Sequence, residues 1–148
     1  MHSTRIEELL QMFNERAPIA RYFGMKLSFT AEGNAVIDLP YNPNLDHALG
    51  GVHGGVYATL LDSAGWFTVA AAHDISCWIA TSELSIHLLA PAERTALRAV
   101  GRLLKQGKRL DIAEMDLYDE QGRLIGHGVG TFVILPNVPA TLKIEAEP

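Results

Sequence analysis

The 148-residue sequence predicts an α+β protein in which a curved antiparallel sheet wraps around one long central helix. Three observations carry this. The stretch 55–73 places Val56, Leu60, Leu61, Ala64 and Phe67 at helical spacing, with Ala and Gly filling much of the rest, so it is apolar nearly all round. A helix of that kind must be covered by protein on most sides. Strand-like segments come in runs before and after it with no second long helix between them, which argues against a doubly wound sheet. Between the later strands stand the turn sequences Gln106-Gly107-Lys108 and Asp119-Glu120-Gln121-Gly122.

Each element has its own local signal. Ser3 followed by Thr4-Arg5-Ile6-Glu7-Glu8-Leu9-Leu10 reads as a capped amphipathic helix over 3–16, with Ile6, Leu9, Leu10 and Phe13 on one stripe and an end before Pro18. Segments 25–31 and 35–39 form a strand pair turning at Glu32-Gly33-Asn34. Residues 41–51 hold Asn42, Pro43, Asn44, Asp46 and a Gly pair, and read as a loop leading into the central helix. Four longer strands follow at 77–89, 95–105, 109–118 and 124–135. Gly126-His127-Gly128-Val129-Gly130 has the composition of a phosphate loop, but it lies inside a strand pattern with no helix after it, so that reading is rejected. The tail after Pro136 is expected to fray. With no repeat and no linker, 1–148 reads as one domain with its core at about 25–135. The sheet's outer face and edges would need a second subunit to cover them.

Composition narrows the class. Hydrophobic residues make up 48% of the chain, enough for a genuine core without metal or disulfide. A net charge of -5 argues against general nucleic-acid binding. Cys77 is the one cysteine, so no intrachain disulfide forms; it is expected to be a buried, inert thiol in a reducing, cytoplasmic setting. The N-terminal 16 residues carry acids and no hydrophobic run, unlike a signal peptide. The apolar run 64–72 is too short to span a membrane. His73, His87 and His127 lack ligand-like spacing, so no metal site is expected.

The chemistry concentrates at His53-Gly54-Gly55 and Asp62. A glycine step opens the helix, and free N–H groups at such a start favour negative charge or a polarised carbonyl. Close packing alone would also explain the glycines. Asp62 stands two turns inside, flanked by Leu61, Ala64 and Trp66. An acid is costly to bury there, so a chemical use outweighs a capping or solvated role. Leu49, Tyr57 and Leu61 are candidates to line a binding pocket beside the helix start, with His53 and Gly55 as further candidate contacts. Lys105, Lys108 and Arg109 cluster on a hairpin, where they are either a solvated turn or, for Lys108 and Arg109, contacts to phosphate.

Three sequence blocks carry a family resemblance. They are His53-Gly54-Gly55 with Ala58-Thr59-Leu60-Leu61-Asp62, Thr81-Ser82-Glu83-Leu84-Ser85-Ile86 with Ala90-Pro91-Ala92, and Leu103-Leu104-Lys105-Gln106-Gly107-Lys108-Arg109. Through them the chain resembles the hotdog-fold acyl-CoA thioesterases of the phenylacetic-acid-degradation and 4-hydroxybenzoyl-CoA type, over roughly 25–135. The resemblance implies hydrolysis of acyl- or aryl-acyl-CoA to free acid and CoA, with no metal or redox cofactor, in a homodimer that assembles to a tetramer. It implies that the Gly54 N–H polarises the thioester carbonyl, that Asp62 activates water or attacks directly, and that Thr81 positions the water. An Asn or Gln often stands six residues before the His; here that position is His47, a departure that brings a titratable donor.

Spacing adds one constraint. Gly54 and Asp62 are eight residues apart, about 12 Å of helical rise. A reacting carbon must approach both to roughly 3 Å, which one helix does not readily allow. Two antiparallel copies across a dimer axis do, pairing Gly54 of one chain with Asp62 of the other, so the monomer is expected to be inactive. The competing readings are an acyl-thioester hydratase or dehydratase on the same fold and a non-catalytic acyl-CoA-binding module.

Overall fold

The computed structural model describes residues 3–74, 77–136 and 138. The first helix, α1 (Ser3–Gln11), runs into a π-helical turn at Met12–Arg16. A second helix not expected from the sequence follows, α2 (Pro18–Phe23). Pro18 ends the first helix and begins this one, because proline fits the opening turn where its missing N–H is not needed. Gly24 ends it in the left-handed region at φ 88°. The strands β1 (Lys26–Phe29) and β2 (Ala35–Leu39) come next. A 3-10 turn at Pro43–Leu45 interrupts the expected loop.

The central helix is α3 (Gly54–Ala71), followed by β3 (Cys77–Leu88), β4 (Leu97–Gln106), β5 (Leu110–Asp119) and β6 (Leu124–Pro136). All pairings are antiparallel, in the order β1-β2-β4-β5-β6-β3. The Cys77 side chain and the end of the tail lie outside the described residues, as does the Ser3 side chain.

The sheet wraps α3, which touches β2, β3, β4, β5 and β6. Contact is closest at β4: a Cβ built on Gly101 would lie 2.4 Å from the Ala64 carbonyl oxygen and 2.3 Å from Thr68 Oγ1. Only a residue without a side chain lets the helix backbone rest on the strand there. Thr68 ties the layers, donating to the Ala64 carbonyl at 2.7 Å and accepting from the Ala35 N–H at 3.0 Å. Beyond the sheet α1 also packs on the helix, with Phe13 of the π-turn edge-on to Phe67, ring centroids 5.1 Å apart. Strands and α1 thus cover most of the helix and leave one stripe only partly covered, running through Gly55, Ala58, Thr59, Asp62, Ser63 and Trp66. Bulges interrupt β3 between Thr81 and Glu83, and β4 between Leu103 and Lys105. Within the chain β3 is an edge strand.

Candidate active site

The loop before α3 is a set of tight turns that hold His47 and Gly54 beside each other. The Gly50 N–H donates to the His47 carbonyl at 3.0 Å, and the His47 N–H to the Gly51 carbonyl at 2.8 Å. The Val52 N–H donates to Ala92 O, and the His53 N–H to Leu45 O. Gly50 takes φ 91°, the left-handed conformation that glycine adopts without strain. Gly51 makes room for the histidine: a Cβ there would come within 2.7 Å of His47 Nε2. His47 Nδ1 accepts from the Leu49 N–H at 3.1 Å, so the ring carries its proton on Nε2 and offers it as a donor.

His53 is the N-cap of α3. Its Nδ1 accepts from the Gly55 N–H at 2.8 Å, and its carbonyl accepts from the Val56 N–H. That satisfies two of the helix's opening donors and leaves the Gly54 N–H without an acceptor among the described residues. Gly54 and His47 line one cleft of about 360 Å³, together with Gly51, Val52, Tyr57 and the segment from Leu88 to Ala92. Tyr57 is buried and anchors that segment, donating its hydroxyl to the Ala90 carbonyl at 2.8 Å. Leu88 packs against Gly54, its Cδ1 3.0 Å from where a Cβ would stand. The wall from Leu88 to Pro91 was not singled out in the sequence as part of the site. Ala90-Pro91-Ala92 was the available signal, a strand ending on a proline beside the helix start.

Asp62 stands two turns further along α3 and is half-buried. The Thr81 hydroxyl donates to Asp62 Oδ1 at 2.8 Å, across from helix to edge strand, just before the β3 bulge. Burial pushes the Asp62 carboxyl above its ordinary range, and the Thr81 hydrogen bond opposes this in part. Trp66, one turn beyond on the same helical face, donates its indole N–H to the Ile79 carbonyl at 2.9 Å. It also packs edge-on to Trp78 at 6.2 Å. The Gly54 N–H, with His47 on the preceding loop, and the Asp62 carboxyl therefore lie two turns apart along one helix.

The other expected residues are scattered. Leu61 has no accessible surface and belongs to the core. Leu49 is 92% exposed at the loop tip, free to meet another molecule. Gly55 is held by the His53 cap. Lys108 and Arg109 stand exposed on the β4–β5 turn, towards the C-terminal end of α3. His73 pairs with Asp111 and His127 with Asp116, each at 2.7 Å. No helix among the described residues is long and apolar enough to cross a membrane.

Residues 49–125, from the loop tip through α3 into β6, match the family model of the thioesterase superfamily. A candidate esterase of Saccharolobus solfataricus, SSO2140, is 25% identical over 130 residues, spanning 88% of this chain and 92% of its own. Among solved structures, the BH2602 protein of Bacillus halodurans, crystallised with CoA, is 32% identical with a TM-score of 0.77, covering 90% of this chain and 89% of that one. The Haemophilus influenzae thioesterase HI1161 shares the fold at a TM-score of 0.82 and 16% identity, over 91% of this chain and 93% of its own.

Proposed function

Because the chain belongs to the thioesterase superfamily, we propose that it hydrolyses acyl- or aryl-acyl-CoA to the free acid and CoA, in a homodimer whose active sites each draw on both chains. The Gly54 N–H and the His47 Nε2–H hold the thioester oxygen and take up the charge that develops as the carbonyl is attacked. Both donors are fixed before substrate arrives, one by the helix cap and one by the 47–51 turn. Asp62 of the partner chain accepts a proton from water as the water oxygen bonds to the carbonyl carbon, or itself attacks to give an anhydride that water then cleaves. In either course the C–S bond breaks and CoA leaves as the thiol. Thr81 orients the carboxylate. Every group in the scheme comes from the protein or from water.

The observation that carries this reading is the unclaimed Gly54 N–H at the mouth of an apolar-walled cleft. His53 takes up its neighbours' donors and leaves this one for a ligand. The crystallisation of BH2602 with CoA supports the CoA half of the substrate. A cytoplasmic site of action and further pairing into a tetramer belong to the same proposal.

The test is thiol release from short, medium, long, phenylacetyl and benzoyl CoA esters by wild type and Asp62→Ala. Release that falls at least about a hundredfold in the variant is the expected result. No release from any ester, or equal release by both proteins, would overturn the assignment and favour a hydratase or a binding module.

A further inference from the structure

We infer that the buried Asp111–His73 pair is a positioning device for the nucleotide end of the substrate, fixing the hairpin turn that carries Lys105, Lys108 and Arg109. The inference rests on the reading of the substrate as a CoA thioester. Asp111 has no accessible surface. Its Oδ1 accepts from the Gly107 N–H at 3.0 Å, and its Oδ2 is 2.7 Å from His73 Nε2. A carboxylate so buried is tolerated only when its oxygens are engaged. Here one partner is the tip of the β4–β5 turn, and the other follows the C-terminal end of α3.

Two further bonds hold the same turn. The Gln106 side-chain amide donates to the Ala72 carbonyl at 3.3 Å, and the Ile134 N–H donates to the Arg109 carbonyl at 2.8 Å. Gly107 is required by the tightness of the bend, since a Cβ there would lie 2.4 Å from the Leu110 carbonyl oxygen. The turn borders a shallow depression of about 400 Å³, with Lys105, Lys108 and Arg109 around Leu110 and Ile112 and no carboxylate in its lining. Leu110 is 47% exposed there. A merely solvated charge cluster needs neither an apolar floor nor a buried acid fastening its backbone. Cations beside an exposed apolar floor suit phosphates beside an adenine ring. The chain's net charge of -5 makes the local excess of cations more selective for such a ligand.

The readout is the ratio of kcat/KM for an acyl-CoA to kcat/KM for the same acyl group on N-acetylcysteamine, which lacks the nucleotide. Lys108→Ala with Arg109→Ala is expected to lower the ratio about tenfold, the share of one charge-assisted hydrogen bond. Asp111→Asn, and His73→Gln as the milder variant should Asp111→Asn not fold, are expected to lower it in the same direction. An unchanged ratio in the double variant overturns the nucleotide site. A ratio that moves there but in neither positioning variant, or equal losses on both esters, overturns the role of the pair. A wild-type protein that turns over neither ester is instead a failure of the proposed function. Titration with adenosine 3′,5′-bisphosphate then reads the inference alone, with binding weakened about tenfold by the same variants.

Discussion

The half-burial of Asp62 costs stability, and pH exposes that cost. Its carboxyl is held above the ordinary range, mainly by burial, so the folded chain keeps a proton that the unfolded chain has already released. In the window between the two values stability falls as pH rises, and above it the cost is fully present. Asp62→Asn removes that cost. Thermal melts are expected to show the variant more stable than wild type at neutral pH, with the difference closing below about pH 4. In the proposed mechanism the same group governs turnover, so kcat/KM for the wild type should rise with pH on a limb that lies above the usual Asp range, and Asp62→Asn should abolish activity. Thr81→Val should move that limb further up, because the hydroxyl that favours the charged form is gone. An acid limb at the ordinary Asp value, or melts that coincide at every pH, would contradict the assignment. Asp62 was legible in the sequence because its neighbours Leu61, Ala64 and Trp66 are local and apolar. The direction of the Thr81 contribution was not, since it depends on a contact across 19 positions of chain.

The placement of α3 on the sheet decides whether those groups are held still. Its backbone meets β4 at Gly101, and a methyl there would meet main-chain atoms of Ala64 that have no means of moving aside. Gly101→Ala is expected to destabilise the fold by about 3 kcal/mol or more, measured by denaturant titration. A loss under about 0.5 kcal/mol would mean the helix has slack on its bed. The central helix and the long strands could be read from the sequence because apolar period and turn chemistry extend over many residues. Two short elements could not: α2 spans 6 residues and the 3-10 turn 3, too few for a period to show. The hairpin neighbours β1–β2, β4–β5 and β5–β6 follow from their turns, but the long-range neighbours were equally hidden. β3 pairs with β6, and β2 with β4 across the whole of α3, and no local pattern encodes such pairings. The bulges at Ser82 and Leu104 add a residue to one strand each and shift which side chains share a face. The Asp111–Gly107 clasp was invisible for the same reason: a lone acid in a strand pattern shows nothing of its burial.

Gly54 and Asp62 lie on one straight helix about 12 Å apart, so a site using both is built most simply from two chains. β3 supports this as a 12-residue edge strand, carrying Thr81, whose outer side has no strand beside it among the described residues. A clean variant exists for each half of the site. Gly54→Pro deletes the unclaimed N–H where proline is at home, at the first helical position after His53 in an extended conformation with φ -61° and ψ 137°. A Cβ at that position would meet only Leu88 Cδ1, the far end of a side chain, at 3.0 Å. Gly54→Pro and Asp62→Ala should each be folded and at least about a hundredfold impaired alone. Co-expressed in equal amounts, they form mixed dimers in about half of all pairings, and each mixed dimer holds one intact and one doubly damaged site. Activity should therefore return to about a quarter of wild type. If Gly54 and Asp62 of the same chain served one site, no mixed dimer would contain an intact one, and co-expression would restore nothing. A quarter or nothing decides between a site that each chain completes alone and one that exists only in the pair.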